Sequence, residues 1–146
     1  MTVLIAVFIA YLAVVGTTIF HYESLKAVGR LSRLHHHPHL IVPTVLSLVI
    51  AAHVVEVLLY ACIYEIALGP LHLGSITGVK LTPLTLVYFA AETYSSLGNG
   101  DILPHGAIRL ITSIGSLNGI LLLAWSGSFL FTVTGQVDQR SARDQG

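Results

Sequence analysis

The chain has 146 residues, 54% apolar and only 10% charged, whereas a soluble domain of this size carries about a quarter charged residues. Seven basic and seven acidic residues cancel to a formal net charge of zero, which argues against a nucleic-acid partner. A mean hydropathy of +0.81 and a single cysteine, Cys62, within an apolar run exclude a disulfide-framed domain and place the chain among integral membrane proteins.

Val3 to Phe20 is an uncharged run of 18 residues, about 27 Å of helix and enough to cross a slightly adjusted hydrocarbon core. The rival reading is a signal peptide, but no basic residue precedes the run and no small-residue cleavage pattern follows it. From His21 to His39 the sequence turns polar with Lys26, Arg30 and Arg33, while Leu25, Val28, Leu31 and Leu34 recur at three-residue steps. That spacing predicts a short basic amphipathic helix on the membrane surface. It ends in His35, His36, His37, Pro38 and His39, a set able to bind a transition metal or take up protons near neutral pH. The plainer reading leaves these histidines solvated at the interface, with Pro38 opening the next helix.

Leu40 to Leu68 is a second span of 29 residues, about 43 Å, so it tilts or protrudes. His53 and Glu56 lie three apart on one helix face, near the middle of the run, where ionisable groups are costly. They read either as metal ligands or a proton relay, or as a pair that bonds to itself and to polar groups of a neighbouring span such as Ser113, Ser116 or Asn118. A lone His-x-x-Glu lacks the further ligands of a zinc site, which favours the second reading.

Gly69 to Leu81 carries the breakers Gly69-Pro70, Gly74 and Gly78 and reads as a loop. Thr82-Pro83 then offers a helix start, with Thr82 as N-cap and Pro83 at the first helical position. Pro83 to Tyr94 spans about 18 Å, too short to cross a bilayer but suited to a re-entrant helix, whose negative C-terminal end favours a cation. Non-helical backbone at membrane depth is tolerable only where protein buries it or where it lines a path for ions.

The stretch that follows, Glu92 to Asp101, reads ETYSSLGNGD. Glycines at the alternate positions 98 and 100 let the backbone switch hand from residue to residue, so that successive carbonyls point the same way. A row of carbonyls aimed at one axis is a cation site. Ser96, Leu97, Gly98, Asn99, Gly100 and Asp101 resemble the filter of the pore-loop potassium channel superfamily, Thr-Val-Gly-Tyr-Gly-Asp. The upstream aromatics Tyr88 and Phe89 and the carboxylate Glu92, nine residues before Asp101, extend the resemblance.

It implies a homotetramer in the lipid bilayer, with the oxygens of Ser96, Leu97, Gly98, Asn99 and Gly100 lining the filter and potassium or another monovalent cation as the permeant ion, without an organic cofactor. It further implies that Tyr88, Phe89, Glu92 and Asp101 support the filter, the two carboxylates approaching behind it, unless Glu92 pairs with Lys80 or Arg109. Asn99 departs from the family tyrosine, is too short to fill its place against pore-helix aromatics, and predicts weaker discrimination between potassium and sodium, unless Tyr88 or a neighbouring chain braces it and selectivity survives.

Ile102 to Thr134 reads as the third span, entered through a Pro104–Gly106 turn. Gly115 and Gly119 form a Gly-x-x-x-Gly, usually a close helix contact. The resemblance makes Gly119 a hinge candidate and turns Leu121, Ala124 and Ser128 toward a cavity. Gly135 to Gly146 is a short polar tail. Lys26, Arg30, Arg33, Arg140 and Arg143, against Lys80 and Arg109 on the pore-loop side, put the first loop and tail in the cytoplasm and the N-terminus outside.

The expected architecture is therefore an all-α membrane protein with three transmembrane helices, a re-entrant pore helix and a filter loop. It divides into an N-terminal span and basic surface helix (1–39), a pore module (40–134) and a tail (135–146), in a prokaryotic plasma membrane. No nucleophile stands beside a base at workable spacing, so no enzyme is expected. The competing function is a channel-fold metal or proton sensor with a closed pore, acting through His53, Glu56 and the His35 to His39 cluster.

Overall fold

The computed structural model describes residues 1–34, 38–98 and 100–144. The expectations resting on His35, His36, His37 and Asn99 fall outside the described residues, as does the side chain of His39. Four helices carry the fold: α1 (Thr2–Leu34), α2 (Pro38–Leu68), α3 (Pro83–Ser95) and α4 (Ile108–Asp144), with short strands β1 (Gly74–Thr77) and β2 (Leu103–Gly106) flanking α3 in sequence. Three stretches, Thr2–Ser32, Leu40–Leu68 and Ile108–Gln139, are long and apolar enough to cross a membrane. The protein is an all-α integral membrane protein, its outward faces rich in exposed side chains such as Leu4, Phe8, Leu12, Leu117 and Phe131.

The expected break between a first span and a separate surface helix is absent. One buried stripe runs the length of α1 through Ala6, Ala10, Ala13, Thr17, His21, Leu25, Val28 and Ser32, at the three- and four-residue steps that keep a single helical face inward. With that face packed along its whole length, the polar residues after Phe20 fall on a continuing helix rather than starting a new one. A matching stripe on α2 runs through Ile41, Val45, Val49, Ala52, Glu56, Tyr60, Tyr64 and Ala67. The alanines of α1 pack with Tyr60 and Tyr64 in one apolar cluster. Leu25 and Val28 join Ile41, Val45 and Val133 in a second, so α1 runs antiparallel to α2 and parallel to α4.

Two further boundaries differ from the sequence reading. The loop after α2 contains β1, which pairs antiparallel with β2 from Gly74↔Gly106 to Thr77↔Leu103; the Pro104–Gly106 turn is thus a strand, and α4 begins only at Ile108. Pro104 is tolerated because a two-stranded ribbon leaves each strand an open edge. At its other end α4 continues through the polar tail, where no proline follows Gly135 to stop it.

Candidate functional site

Residues 96–101, the expected filter segment, are positioned by α3. Thr82 caps its N-terminus in a reciprocal arrangement with Thr85: the Thr85 amide donates to the Thr82 hydroxyl at 3.1 Å and the Thr82 amide to the Thr85 hydroxyl at 2.7 Å, satisfying donors that have no partner within the helix. At the far end Ser96 adopts a left-handed conformation (φ 58°, ψ 24°), its amide donating to the Glu92 and Thr93 carbonyls. The Leu97 amide donates to the Glu92 carbonyl at 3.0 Å. Beyond this cap Gly98 and Gly100 also have positive φ, 54° and 81°. Left-handed residues thus recur at every second position, 96, 98 and 100. Leu97, Gly98 and Gly100 are exposed on the single chain, and open space surrounds both glycines.

Behind the segment lies a cavity of 290 Å³ lined by Glu92, Thr93, Ser96, Thr112, Ser113 and Ser116. The Ser96 and Ser116 hydroxyls meet across it at 2.6 Å. Glu92 is buried, whereas Asp101 is exposed at the outer end of the loop. Phe89 is buried with its ring 5.3 Å from that of Tyr64; Tyr88 is exposed. Leu121, Ala124 and Ser128 are exposed along α4.

Side chains tie α3 to the spans. The Tyr64 hydroxyl meets that of Thr93 at 3.0 Å. A Cβ at Gly119 would collide with the Tyr94 carbonyl oxygen, and one at Gly115 would come within 2.8 Å of the Tyr60 ring. The Gly-x-x-x-Gly of α4 is therefore the place where α4 meets the end of α3 and Tyr60 of α2, a close approach only small residues allow.

Between the two apolar clusters sits a polar ring drawn from all four helices. Glu56 Oε1 accepts from His21 Nδ1 at 2.8 Å, and Oε2 accepts from His53 Nδ1 at 2.9 Å and from the Tyr94 hydroxyl at 2.5 Å. The opposite edges of both imidazoles converge on Ser126 Oγ, at 2.9 Å for His53 Nε2 and 3.3 Å for His21 Nε2. His21 and Glu56 are fully buried.

The Ser126 hydroxyl, able both to donate and to accept, joins the two ring nitrogens that face away from Glu56. No buried side-chain nitrogen or oxygen lacks a partner among the described residues, as the low dielectric there requires.

The structure thus brings His53 and Glu56 together as the sequence spacing expects, but their further partners are not Ser113, Ser116 or Asn118. Asn118 instead donates to Thr17 at 2.8 Å and to Tyr60 at 3.1 Å, and Ser116 meets Ser96. Sequence reasoning missed His21, Tyr94 and Ser126. His21 carried a usable signal, standing four residues beyond Thr17 on the stripe that also holds Ala10 and Ala13. With His21 the pair becomes a trio whose ligand atoms lie within 4.8 Å of one another, a donor set of the kind that binds zinc.

Comparison with known proteins places these features. The family model described as Ion channel matches residues 45–136, from α2 through α3 and the filter segment to the far part of α4. An uncharacterized membrane protein, YdjJ of Bacillus subtilis (strain 168), is 34% identical over 55 residues, covering 37% of this chain and 16% of the relative's own length. The greater part of that relative therefore has no counterpart here. No solved structure matches.

Proposed function

Because this chain belongs to the ion channel family of the potassium-channel type, we propose that four copies surround an axis at Ser96 to Gly100 and pass monovalent cations between their backbone oxygens. The observation that carries this reading is the recurrence of positive φ at Ser96, Gly98 and Gly100 directly after a re-entrant helix, the backbone pattern that turns successive carbonyls one way. The exposure of Leu97, Gly98 and Gly100 on the single chain supports assembly, since one strand cannot encircle an ion. Oxygens of Ser96, Leu97, Gly98, Asn99 and Gly100 replace the water of a potassium-sized ion, and Glu92, Asp101, Tyr88 and Phe89 hold the loop. Gly119, at the meeting of α4 with the end of α3, is the hinge on which the inner helix opens the pore.

Asn99 in the place of a tyrosine lowers the preference for potassium over sodium. The five-to-two distribution of basic residues supports a C-terminus in the cytoplasm and a filter that faces outward. Rubidium uptake into liposomes holding the purified protein, measured with and without competing sodium, tests the reading. Uptake that sodium partly inhibits is expected; no uptake in any condition overturns it.

A second reading, a metal sensor on a channel fold, gains support from His21, which supplies the third ligand that His53 and Glu56 alone lack. The His35 to His39 cluster would add to it. Metal analysis of the purified protein beside His53→Ala decides: stoichiometric zinc lost in the variant supports the sensor, and absence of stoichiometric metal removes it.

A further inference from the structure

On the side of the membrane where α1 and α4 end, a cleft of 430 Å³ opens between them, outside the filter and the polar ring. Its walls combine cations and aromatic rings: Lys26 and Arg30 from α1, Trp125 and Phe129 from α4, with Tyr22 and Gln136 at its edges. Lys26 lies 24 residues beyond Thr2, about 36 Å along the helix; with Thr2 at one edge of a hydrocarbon core about 30 Å thick, Lys26 and Arg30 fall at headgroup depth on the other side. Tyr22 and Trp125 stack with ring centroids 6.1 Å apart, the aromatic arrangement favoured at that boundary.

Charge decides what occupies such a cleft. Lys26 is held by Glu23 at 2.8 Å and lies 4.9 Å from the Tyr22 ring centroid, so its charge is largely compensated. Arg30 is exposed and has no ion-pair partner among the described residues. The cleft thus keeps one net positive charge, beside the Trp125 and Phe129 rings. A planar guanidinium with free donors matches a phosphate bidentately. We infer that the α1–α4 cleft binds an anionic phospholipid of the bilayer, its phosphate on Arg30 and its acyl chain against Trp125 and Phe129.

The inference does not depend on the pore conducting, and the chain carries its own reporter, because Trp125 is its sole tryptophan. The protein is reconstituted into phosphatidylcholine vesicles in which one lipid in ten or so, either phosphatidylglycerol or phosphatidylcholine, carries brominated chains that quench tryptophan. One uncompensated cation corresponds to about fivefold enrichment of the anionic lipid at the cleft, so brominated phosphatidylglycerol quenches Trp125 well beyond its neutral counterpart. Arg30→Gln with Lys26→Gln removes that excess while leaving the quenching by brominated phosphatidylcholine unchanged, which shows the cleft still formed, and Arg30→Lys restores part of the excess. Equal quenching by the two lipids, an excess that persists in the double variant, or no quenching by either lipid overturns the assignment.

Discussion

The filter segment and the buried polar ring are built on opposite principles. The segment after α3 owes its shape to the backbone: three positive φ angles at 96, 98 and 100, few neighbours, and exposure on the single chain. The ring owes its shape to side chains of four helices, His21 and Ser126 among them standing 105 positions apart, and its His21 and Glu56 are fully buried. On the proposed function the first takes its meaning from copies that meet around it, whereas the second rests on one chain folded around it. A substitution should therefore separate permeation from stability according to the region it strikes.

The largest effect on stability is expected from Glu56→Ala. It leaves the buried His21, the part-buried His53 and the Tyr94 hydroxyl without their acceptor, and breaking a buried, hydrogen-bonded pair in this way costs about 3–5 kcal/mol. Thermal unfolding of the assembly in detergent should show a clear fall in Tm, and an unchanged Tm would mean that the ring contributes nothing to the fold.

Gly119→Ala comes next, since its methyl group meets the Tyr94 carbonyl and the inner helix must shift away; overpacking of this kind costs about 1–3 kcal/mol. Because the same contact locates the end of α3, both Tm and cation flux should fall. Unaltered flux would detach Gly119 from the pore.

Gly98→Ala and Gly100→Ala sharpen the contrast from the other side. Each forces an L-residue into the left-handed region at about 1–2 kcal/mol, with open space around the new methyl. Flux should be lost while Tm falls less than in Glu56→Ala, and a variant with full flux and unaltered selectivity would break the comparison.

The smallest effect within the ring belongs to Ser126→Ala, which takes the hydroxyl partner from both Nε2 atoms and costs about 1–3 kcal/mol. The Glu56 contacts survive, so the variant should fold and retain most of its thermal stability. A loss as large as that of Glu56→Ala would show the ring to be a single unit.

What the sequence made legible follows the same division. Thr82-Pro83, the short run to Tyr94 and the alternate glycines announce themselves because capping, length and backbone hand are local properties, readable over a few neighbouring residues. His53 and Glu56 were legible as a pair because three residues of helix bring them to one face. Their partners were not, because nothing local ties His21 on α1 or Ser126 on α4 to Glu56 on α2; only the packing of four helices does. The polar onset at His21 suggests the end of a span, although its place on the Ala10–Ala13–Thr17 stripe points to continuation. The ribbon of β1 and β2 escaped for a related reason: four-residue strands with glycine and proline at their ends look like turns until the partner strand is known.

Permeation by this chain requires an axis that one copy cannot form alone. A density map of the purified protein in potassium, inspected along its symmetry axis beside residues 96–100, shows whether that axis exists. Four copies are predicted, with ordered ion density on the axis between the backbone oxygens of Ser96, Leu97 and Gly98. Gly98 and Gly100 lying away from any symmetry axis, or their carbonyls turned toward lipid, would contradict it.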